Sequence, residues 1–238
     1  MVVQSYQMTC TFNAPIARDV HEVRFKRPKE FTFKPGQFVL MDTPLVENPA
    51  DIQPRAYSIA STPADDEVLL IFRLTPGGRA SRFIVEVLRP GMAVTMKGAF
   101  GFFTLNPEKD KDYLFIATST GVAPFRSQVQ SLVASNDKRT VDLVFGVRSE
   151  EDLFWYDELV KLSQLHPQLS LHMTLTQPTG DWKGHTGRVQ TIVPKIVRDF
   201  TSKTLFACGS PAMTKEVKEL ALTHWGMAKQ DLHVEGYI

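Results

Sequence analysis

Short apolar stretches separated by strong turn signals fill the first 105 positions of the chain. The stretches are rich in Val, Ile, Phe and Thr, residue types that favour β-strands. They are Gln7–Phe12, His21–Lys26, Gln37–Thr43, Arg55–Ala60, Val68–Leu74 and Met92–Gly98. Turn-forming pairs such as Pro35-Gly36 and Pro90-Gly91 lie between them. Many short strands in one region predict a small antiparallel β-barrel, which closes its own edges.

One segment of this region has a helical period instead. In Arg79–Leu88 the apolar side chains recur at a spacing that would place them on one face of a helix. These side chains are Phe83, Ile84, Val87 and Leu88. We therefore predict a single helix in the first region, between the fifth and the sixth strand.

The pattern changes after Asn106–Asp112, a polar stretch suited to a linker. The predicted strands that follow are Tyr113–Ala117, Thr140–Val147, Leu169–Thr176, Thr204–Cys208 and His233–Tyr237. The predicted helices between them are Phe125–Ala134, Asp152–Leu165, Val189–Phe200 and Pro211–Trp225. Alternating strands and helices predict an α/β domain with a parallel sheet. We expect a first domain at residues 1–105, a linker at 106–112 and a second domain at 113–238.

Composition and charge exclude several classes of protein. Hydrophobic residues make up 43% and charged residues 22% of the chain, which is typical of soluble globular proteins. No apolar run approaches the roughly 20 residues that cross a membrane. Met1–Cys10 lacks the basic and then apolar order of a signal peptide. A net charge of +1 argues against a general nucleic-acid binder.

Cysteine and histidine content limits the redox chemistry. The chain has only two cysteines, Cys10 and Cys208, whereas an iron–sulfur cluster needs about four thiolates. Two cysteines also give no disulfide framework, so we expect a cytoplasmic location. The six histidines show no zinc-like spacing, and we expect no metal site. If this protein handles electrons, the carrier must be a bound organic cofactor.

Two loops of small residues follow strands of the predicted parallel sheet, where such sheets bind ligands. The first is Thr118–Pro124, which contains Thr120, Gly121 and Val122, and the second is Cys208–Met213. Backbone N–H groups of such loops can approach a phosphate, whose charge the helix dipole favours. An ordinary strand-to-helix turn would give the same pattern, and a cysteine after an apolar strand is often only a small core residue.

Two arginines are placed near the same rim of that sheet. Arg148 follows the second strand, and Arg188 follows the Gly-rich loop Gly180–Gly187. Forked hydrogen bonds from two arginines could hold a nucleotide phosphate. Two solvated surface arginines are the alternative interpretation.

In the first region, one strand interleaves a cation, an aromatic ring and a hydroxyl group. Alternation along the strand puts Arg55 and Tyr57 on one face. Ala56 and Ser58 then point to the opposite face. A tyrosine ring can stack on a planar heterocycle while an arginine beside it binds a phosphate. Gly77–Ser81 begins the only helix of the region and is a second place for a phosphate. A hairpin tyrosine beside a solvated arginine is the alternative.

Together these segments resemble the ferredoxin–NADP reductase superfamily over essentially the whole chain. Five of its motifs occur here in the order of the family: R-x-Y-S at Arg55, Tyr57 and Ser58; a strand and Gly-rich helix start at Phe72-Arg73-Leu74 and Gly78–Ser81; G-x-x-G-x-F at Gly98–Phe103; T-G-x-A-P-F at Thr120–Phe125; and C-G-x-P-x-M at Cys208–Met213. The resemblance implies an N-terminal antiparallel six-stranded β-barrel that binds FAD. It also implies a C-terminal α/β parallel-sheet domain that binds a nicotinamide dinucleotide.

The resemblance also implies roles in binding the flavin. Arg55 would bind the diphosphate of FAD, Tyr57 would stack on the isoalloxazine ring, and Ser58 would hydrogen-bond near its reactive N5 atom. Ala56 and the segment Phe72, Arg73 and Leu74 would complete the flavin contacts. Backbone N–H groups of Gly78, Arg79, Ala80 and Ser81 would help to hold the diphosphate.

On the nicotinamide side, the resemblance implies contacts from Thr120, Gly121 and Val122. Cys208 would lie beside the nicotinamide, followed by Gly209, Pro211 and Met213. Glu235 and Tyr237 resemble a C-terminal V-E-x-Y of the family in which the tyrosine covers the flavin, and here Ile238 follows. The residues expected to act in catalysis are Ser58, Cys208 and Glu235. Arg148 and Arg188 resemble arginines that hold the 2′-phosphate of NADP, which favours NADP(H) over NAD(H).

The implied activity is that of a ferredoxin or flavodoxin–NAD(P) reductase, of the EC 1.18.1 type. Electrons from the flavin would go to or come from a separate ferredoxin or flavodoxin. A basic stretch, Arg24, Lys26, Arg27, Lys29 and Lys34, could meet an acidic carrier, although a solvated hairpin face would look the same. Two alternatives remain open: a flavin reductase that releases reduced free flavin, and an electron-transfer subunit of a larger complex.

Overall fold

The computed structural model describes residues 3–106, 108 and 110–237, and the chain divides into two compact units. The first unit runs to Leu105 and takes in Arg126–Ser131 from later in the chain. The second takes in Asn106–Phe125 and the chain from Leu132 onward. Pro107 and Lys109 of the predicted linker lie outside the described residues. The assignment of Arg126–Ser131 differs from the predicted division at 105 and 113, because these residues pack with the first unit.

The first unit is built on six antiparallel strands, as the sequence predicted. They are β1 (Ser5–Ala17), β2 (Val20–Lys26), β3 (Phe38–Pro44), β4 (Ile52–Ser58), β5 (Glu67–Arg73) and β6 (Ala93–Phe100). Their order in the sheet is β4-β3-β6-β1-β2-β5. Just beyond β4, the Ala60 N–H donates to the Leu69 carbonyl of β5 at 2.9 Å, so the two outer strands meet. Apolar side chains from all six strands face the interior, and β4 contributes the partly buried Tyr57 ring.

The helical segment of the first unit changes geometry along its length. α1 (Arg79–Arg82) is followed by a π-helical turn at Phe83–Val87, in which the Leu88 N–H donates to the Phe83 carbonyl at 2.8 Å. The predicted apolar stripe does face the core, since Phe83, Ile84 and Leu88 are buried. The single regular helix predicted for Arg79–Leu88 is therefore wrong in its second half, where the hydrogen bonds skip one more residue.

The second unit is an α/β domain with a parallel sheet. Its strands are β7 (Asp112–Thr118), β8 (Val141–Val147), β9 (Leu169–Leu175), β10 (His185–Thr186), β11 (Lys203–Gly209) and β12 (Leu232–Gly236). Its helices are α2 (Ala123–Ala134), α3 (Tyr156–Leu165), α4 (Val189–Ile196) and α5 (Pro211–Thr223). None of the helices in the described residues is long and apolar enough to cross a membrane.

The order of the parallel strands creates one position where a ligand can enter. The sheet reads β10-β9-β8-β7-β11-β12, so the chain leaves β7 toward one edge and returns to place β11 on its other side. The strand order therefore reverses between β7 and β11. Ligands of open α/β sheets bind at the carboxyl ends of the strands at such a reversal.

Two helix boundaries and one short strand of this unit differ most from the sequence prediction. The helix predicted for Asp152–Leu165 begins only at Tyr156, because Trp155 adopts a left-handed backbone with φ of 54°. A short 3₁₀ turn, Glu150–Asp152, precedes it. The helix predicted to reach Phe200 ends at Ile196. The two-residue strand β10 was not predicted, since so short a strand carries no periodicity.

Candidate functional site

The strand predicted to contact a flavin is the edge strand β4, which pairs with β3. Tyr57 lies opposite the fully buried Val39, so its side chain shares the face of the barrel interior. Arg55 lies two positions earlier on the same face and is exposed, as is Ala56. Ser58, at the end of the strand, is only 5% exposed. A cation, a ring and a buried hydroxyl are thus grouped at the carboxyl end of β4.

The ring of Tyr57 is braced from below by Phe72. The two ring centroids lie 4.3 Å apart, with their planes inclined at 49°. Burial raises the pKa of Tyr57 to about 12, against the opposing effect of the Arg55 charge, so the phenol stays neutral. Phe72 is 2% exposed, so it supports the Tyr57 ring and does not itself present a surface to a cofactor. Of the residues that follow, Arg73 is exposed and Leu74 is half-buried.

A tight turn leads into α1. The Gly78 N–H donates to the Thr75 carbonyl at 3.0 Å, and the Ser81 hydroxyl accepts from the Thr75 N–H at 2.8 Å. A Cβ at Gly78 would lie 2.4 Å from the Thr75 hydroxyl, so a larger residue there would force the Thr75 side chain to move. The Gly78 N–H is therefore used within the turn. The next three N–H groups, those of Arg79, Ala80 and Ser81, begin the helix, where backbone donors lack intrahelical acceptors.

The two arginines of this region differ in how firmly they are held. The Arg79 guanidinium donates to the Asp51 carbonyl at 2.6 Å and to its carboxylate at 2.8 Å. Within the part of the chain that the structure describes, Arg55 donates to its own strand alone, at 2.7 Å to Gln53 and at 3.0 Å to the Pro54 carbonyl. The Arg79 side chain therefore ties α1 to the start of β4. Arg55 is the exposed cation that can turn toward a phosphate.

At the strand reversal of the second unit, the two predicted loops touch each other. A Cβ at Gly121 would lie 2.2 Å from the Cys208 carbonyl oxygen, so only glycine allows this approach. Gly121 lies in the 3₁₀ turn Ser119–Val122, which leads into α2, and Thr120 beside it is half-buried. In the second loop, the Ser210 N–H donates to the Thr118 hydroxyl at 3.3 Å. The loops after β7 and β11 therefore form one backbone surface, which is suited to a phosphate at two helix starts.

Cys208 of β11 and Glu235 of β12 lie on neighbouring strands, and Tyr237 directly follows β12. Cys208 pairs with Glu235 in the register and is fully buried, which raises the pKa of its thiol. A hydrogen bond with the Tyr237 side chain opposes that shift. Burial also raises the pKa of Glu235, to about 7. The Tyr237 N–H donates to the Gly209 carbonyl at 3.0 Å, while Ile238 lies outside the described residues.

The remaining residues of the second loop support it or face outward. Met213 is 5% exposed and its N–H donates to the Ser210 hydroxyl at 3.3 Å, which caps α5. Pro211 is exposed at the first position of that helix. Gly209 is buried. The loop thus presents little side-chain bulk to the rim.

Arg148 and Arg188 follow the carboxyl ends of two parallel strands. Arg148 comes directly after β8, and Arg188 lies two residues after β10. Both are exposed, and both precede helical turns. The carboxyl ends of parallel strands lie at one edge of a sheet, so these two cations share the rim that carries the Gly121 and Cys208 loops.

The basic stretch of the first unit is partly engaged by its own chain. Arg24 pairs with the buried Glu22 at 2.6 Å. Arg27 donates to the Asp65 carbonyl at 2.8 Å and to the Phe31 carbonyl at 3.1 Å. The exposed members are Lys26, Lys29 and Lys34. Three lysines, and not five basic residues, therefore face solvent freely.

The residues present fit the two cofactor classes. Tyr57 offers a neutral, half-buried ring, and Arg55 is an exposed cation on the same strand. The N–H groups of Arg79, Ala80 and Ser81 begin α1. Sequence reasoning overlooked Thr118, whose hydroxyl joins the two loops of the second unit; a hydroxyl residue at the last position of a strand was the available signal. In the described residues no group of three or more His, Cys, Asp or Glu side chains could hold a metal ion.

Two family profiles match the chain. Residues 7–97 match an FAD-binding domain. Residues 115–219 match the oxidoreductase NAD-binding domain. The first match spans the barrel strands, and the second spans both loops at the strand reversal.

The chain is similar to curated reductases. It is 33% identical over 232 residues to ferredoxin–NADP reductase B of Sorangium cellulosum, an alignment that covers 94% of this chain and 93% of that protein. It is 28% identical to the ferredoxin–NAD(P)(+) reductase component of the naphthalene 1,2-dioxygenase system of Pseudomonas putida. That alignment covers 92% of this chain but 65% of the relative, so the chain spans just under two thirds of its length.

Solved structures share the fold of this chain. A ferredoxin NADP+ reductase from Neisseria gonorrhoeae, with bound FAD and NADP, shares the fold with a TM-score of 0.85 at 21% identity, covering 99% of both chains. The Amycolatopsis cytochrome P450 reductase GcoB gives a TM-score of 0.86 at 25% identity, covering 98% of this chain and 70% of that one. The sequence prediction of the family is thereby confirmed. The chain belongs to the ferredoxin–NADP reductase superfamily and is an oxidoreductase with an FAD-binding and an NAD-binding domain.

Proposed function

We propose that this chain takes a hydride from NAD(P)H onto tightly bound FAD and passes the electrons to a separate carrier protein. The observation that carries the proposal is the Tyr57 ring, braced on Phe72 at the exposed edge of the barrel. A neutral ring with one supported side is a ready surface for a planar heterocycle. When bound, the flavin supplies the step from a two-electron donor to single electrons, which no side chain of this protein can perform.

The first unit binds and orients the flavin through four groups. Tyr57 stacks on the isoalloxazine ring, and Arg55 turns from its own strand to the diphosphate. The N–H groups of Arg79, Ala80 and Ser81 donate to the same diphosphate, whose charge the helix start favours. Ser58 holds a hydrogen bond at N5 from a site that is almost closed to water.

The second unit binds the dinucleotide at the strand reversal. Thr120, Gly121 and Val122 present backbone N–H groups to its diphosphate, and the closeness of the Cys208 loop keeps them in place. Cys208 bounds the nicotinamide site as an uncharged thiol, since burial disfavours the thiolate. Glu235 supports Cys208 from the adjacent strand and can hold a proton near neutral pH. Alignment of two reactants can lower a barrier by about 7–11 kcal/mol.

The dinucleotide is NADP(H) in this proposal. Arg148 and Arg188 are exposed at one rim and supply two guanidinium forks for a 2′-phosphate. The name of the Sorangium relative, a ferredoxin–NADP reductase, supports the same choice. The Pseudomonas relative is named for NAD(P)(+).

The carrier is a ferredoxin or a flavodoxin in the leading form of the proposal, as in EC 1.18.1. Phe102, just after β6, is 95% exposed. The turn that carries the exposed Lys34 lies against the same segment, because Gln37 donates to the Gly101 carbonyl at 3.2 Å. An exposed ring and an exposed lysine, on two segments joined by this hydrogen bond, suit a partner with an apolar patch and an acidic rim. A cytoplasmic location stays a prediction from the low cysteine content.

A second candidate role is that of a reductase component in an oxygenase system. The similarity to the Pseudomonas dioxygenase component favours it, and so does 34% identity over 148 residues to component C of the methane monooxygenase of Methylosinus trichosporium. This chain covers 65% and 42% of those proteins. The electron carrier and the oxygenase would then both be separate chains.

Gel filtration followed by turnover tests the proposal. We expect the yellow colour to stay with the protein and NADPH to reduce an added ferredoxin or flavodoxin at catalytic concentrations of enzyme. Loss of colour on the column, together with NADPH-dependent reduction of added free flavin, would instead identify a flavin reductase.

A further inference from the structure

A side chain from β1 holds the carboxyl end of the helical segment whose start faces the proposed diphosphate site. The Asn13 side-chain amide donates to the Ile84 carbonyl at 2.7 Å and to the Leu88 carbonyl at 3.0 Å. Both hydrogens of the amide are thus used. The Leu88 carbonyl also accepts from the Arg89 guanidinium at 2.9 Å. Ile84 is fully buried, so its carbonyl has no easy replacement partner in water.

A β-bulge aims Asn13 at the helix. Along β1, Met8 and Cys10 point inward at every second position. The pairing with β2 shifts between Cys10 and Phe12, leaving Thr11 as an extra residue. Phe12 is therefore turned outward, at 40% exposure, and Asn13 takes the inward direction that an unbroken strand would give to Phe12. The β-bulge in β1 therefore places the Asn13 side chain against the Arg79–Val87 segment.

The imidazole of His21 fixes the orientation of this amide. His21 Nδ1 lies 3.0 Å from Asn13 Oδ1, and an amide oxygen can only accept, so Nδ1 carries the proton. Both the neutral Nδ1–H tautomer and the cation satisfy this bond. His21 also lies opposite Phe72 in the pairing of β2 with β5, and Phe72 supports Tyr57. Asn13, His21 and Phe72 therefore form a row of side chains between the helical segment and the Tyr57 ring.

Asn13 also explains the π-helical turn. In a regular helix the Leu88 N–H would donate to the Ile84 carbonyl, four residues earlier. Here that carbonyl accepts from Asn13, and the Leu88 N–H donates to Phe83. The Asn13 side chain has thus replaced the Leu88 N–H as the donor to the Ile84 carbonyl, and this bond attaches the helical segment to β1 in one orientation.

We propose that Asn13 is a positioning residue for FAD: it sets the placement of the Arg79–Val87 segment, and hence of the N–H groups at its start, against the cofactor's diphosphate. This inference rests on the proposed flavin-binding function. Asn13 does not touch the cofactor and acts only through the helix. Its contribution therefore shows in how long FAD stays bound, and in the preference for a diphosphate-containing flavin.

The test compares release of FAD from the purified holoprotein in wild type, Asn13→Leu and Asn13→Asp. Leucine cannot donate to the two carbonyls, and aspartate places a negative charge against them. We expect FAD to dissociate at least tenfold faster from both variants, and the preference for FAD over FMN to fall by a similar factor. His21→Ala, which keeps the amide but not its fixed orientation, should change both quantities in the same direction by less.

Val68→Ala is the matched control, since it removes core volume in β5 and touches no hydrogen bond of Asn13. It should lower the Tm while leaving FAD release and the FAD preference unchanged. Unchanged FAD release in Asn13→Leu, or equal acceleration in Val68→Ala at the same loss of Tm, overturns the inference. If the Asn13 variants do not fold, the same two readings on His21→Ala decide the question. A wild-type protein that binds no FAD would instead refute the proposed function.

Discussion

Tyr57 and Cys208 are both held uncharged in the protein without a cofactor, and burial is the reason in each case. The Tyr57 ring rests on Phe72, and its pKa of about 12 keeps it neutral. The Cys208 thiol is fully buried, so its pKa is raised and it stays protonated. At this scale the chemistry depends on uncharged groups of fixed position, as expected where cofactors carry the reaction.

Ser58 is predicted to matter for rate more than for binding. Ser58→Ala removes the proposed hydrogen bond at N5, so flavin reduction by NADPH should slow more than tenfold, a rise of about 1.4 kcal/mol or more in the barrier. The flavin should stay bound. Stopped-flow absorbance measures the rate, with the exposed Ser5→Ala in the same unit as control. Wild-type rates in Ser58→Ala would remove this serine from the mechanism.

Glu235 is predicted to make stability depend on pH. Its pKa is about 7 in the folded chain, above its ordinary value of 4.5, so between these two the folded state binds more protons than the unfolded state. Stability should therefore fall as the pH rises from about 4.5 to 7. Thermal melts should show a flatter pH dependence for Glu235→Gln and a higher Tm than wild type at pH 8. The exposed Glu219→Gln should melt like wild type, and a melt of Glu235→Gln that matched it would contradict the assignment.

Arg188 is predicted to read the 2′-phosphate. A hydrogen bond to a charged group contributes about 1.5–3 kcal/mol, so Arg188→Ala should lower kcat/KM for NADPH by roughly ten- to a hundredfold. The value for NADH should hardly change, because NADH lacks that phosphate. Arg198→Ala, an exposed arginine that follows α4, is the control. An unchanged ratio of the two values would exclude Arg188 as the phosphate contact.

Among the elements, regular strands could be predicted and irregular ones could not. The strands of the barrel were located to within a few residues, because Pro-Gly and Gly-Gly turns separate their apolar runs. The π-helical turn was out of reach, since it depends on Asn13, 71 positions before Ile84. The break before α3 depends on the left-handed Trp155, which no local pattern indicates. Local propensity therefore predicts elements, while tertiary hydrogen bonds decide their irregularities.

The contact of the two loops at the strand reversal gives a prediction for an element. Gly121→Ala would push the loop after β7 away from the Cys208 carbonyl, since the added carbon would lie at 2.2 Å. We expect KM for NADPH to rise at least tenfold while the flavin absorbance stays normal. Gly180→Ala is the matched control, because its Cβ would meet no atom within 4 Å. If the two variants have equal KM values, the loop contact has no role in binding.

For the whole molecule, the order of motifs predicted the family and the two kinds of cofactor domain. The strand order, which sets the reversal between β7 and β11, came only from the structure. So did the engagement of Arg24 and Arg27 by their own unit, which reduces the predicted basic stretch to three exposed lysines. The Arg27 contacts join separate segments of the chain, which the sequence could not reveal. Arg24 pairs with Glu22 of the same strand, and only the structure shows that this carboxylate is buried and within reach of the guanidinium.

The central claim, that one chain joins a flavin to a nicotinamide dinucleotide, is tested most directly by titrating the purified protein with NADPH in the absence of oxygen. We predict the visible absorbance of a bound oxidised flavin before the titration. We also predict that these bands bleach as one equivalent of NADPH is added. A colourless protein, or a flavin spectrum that NADPH leaves unchanged, would contradict the account.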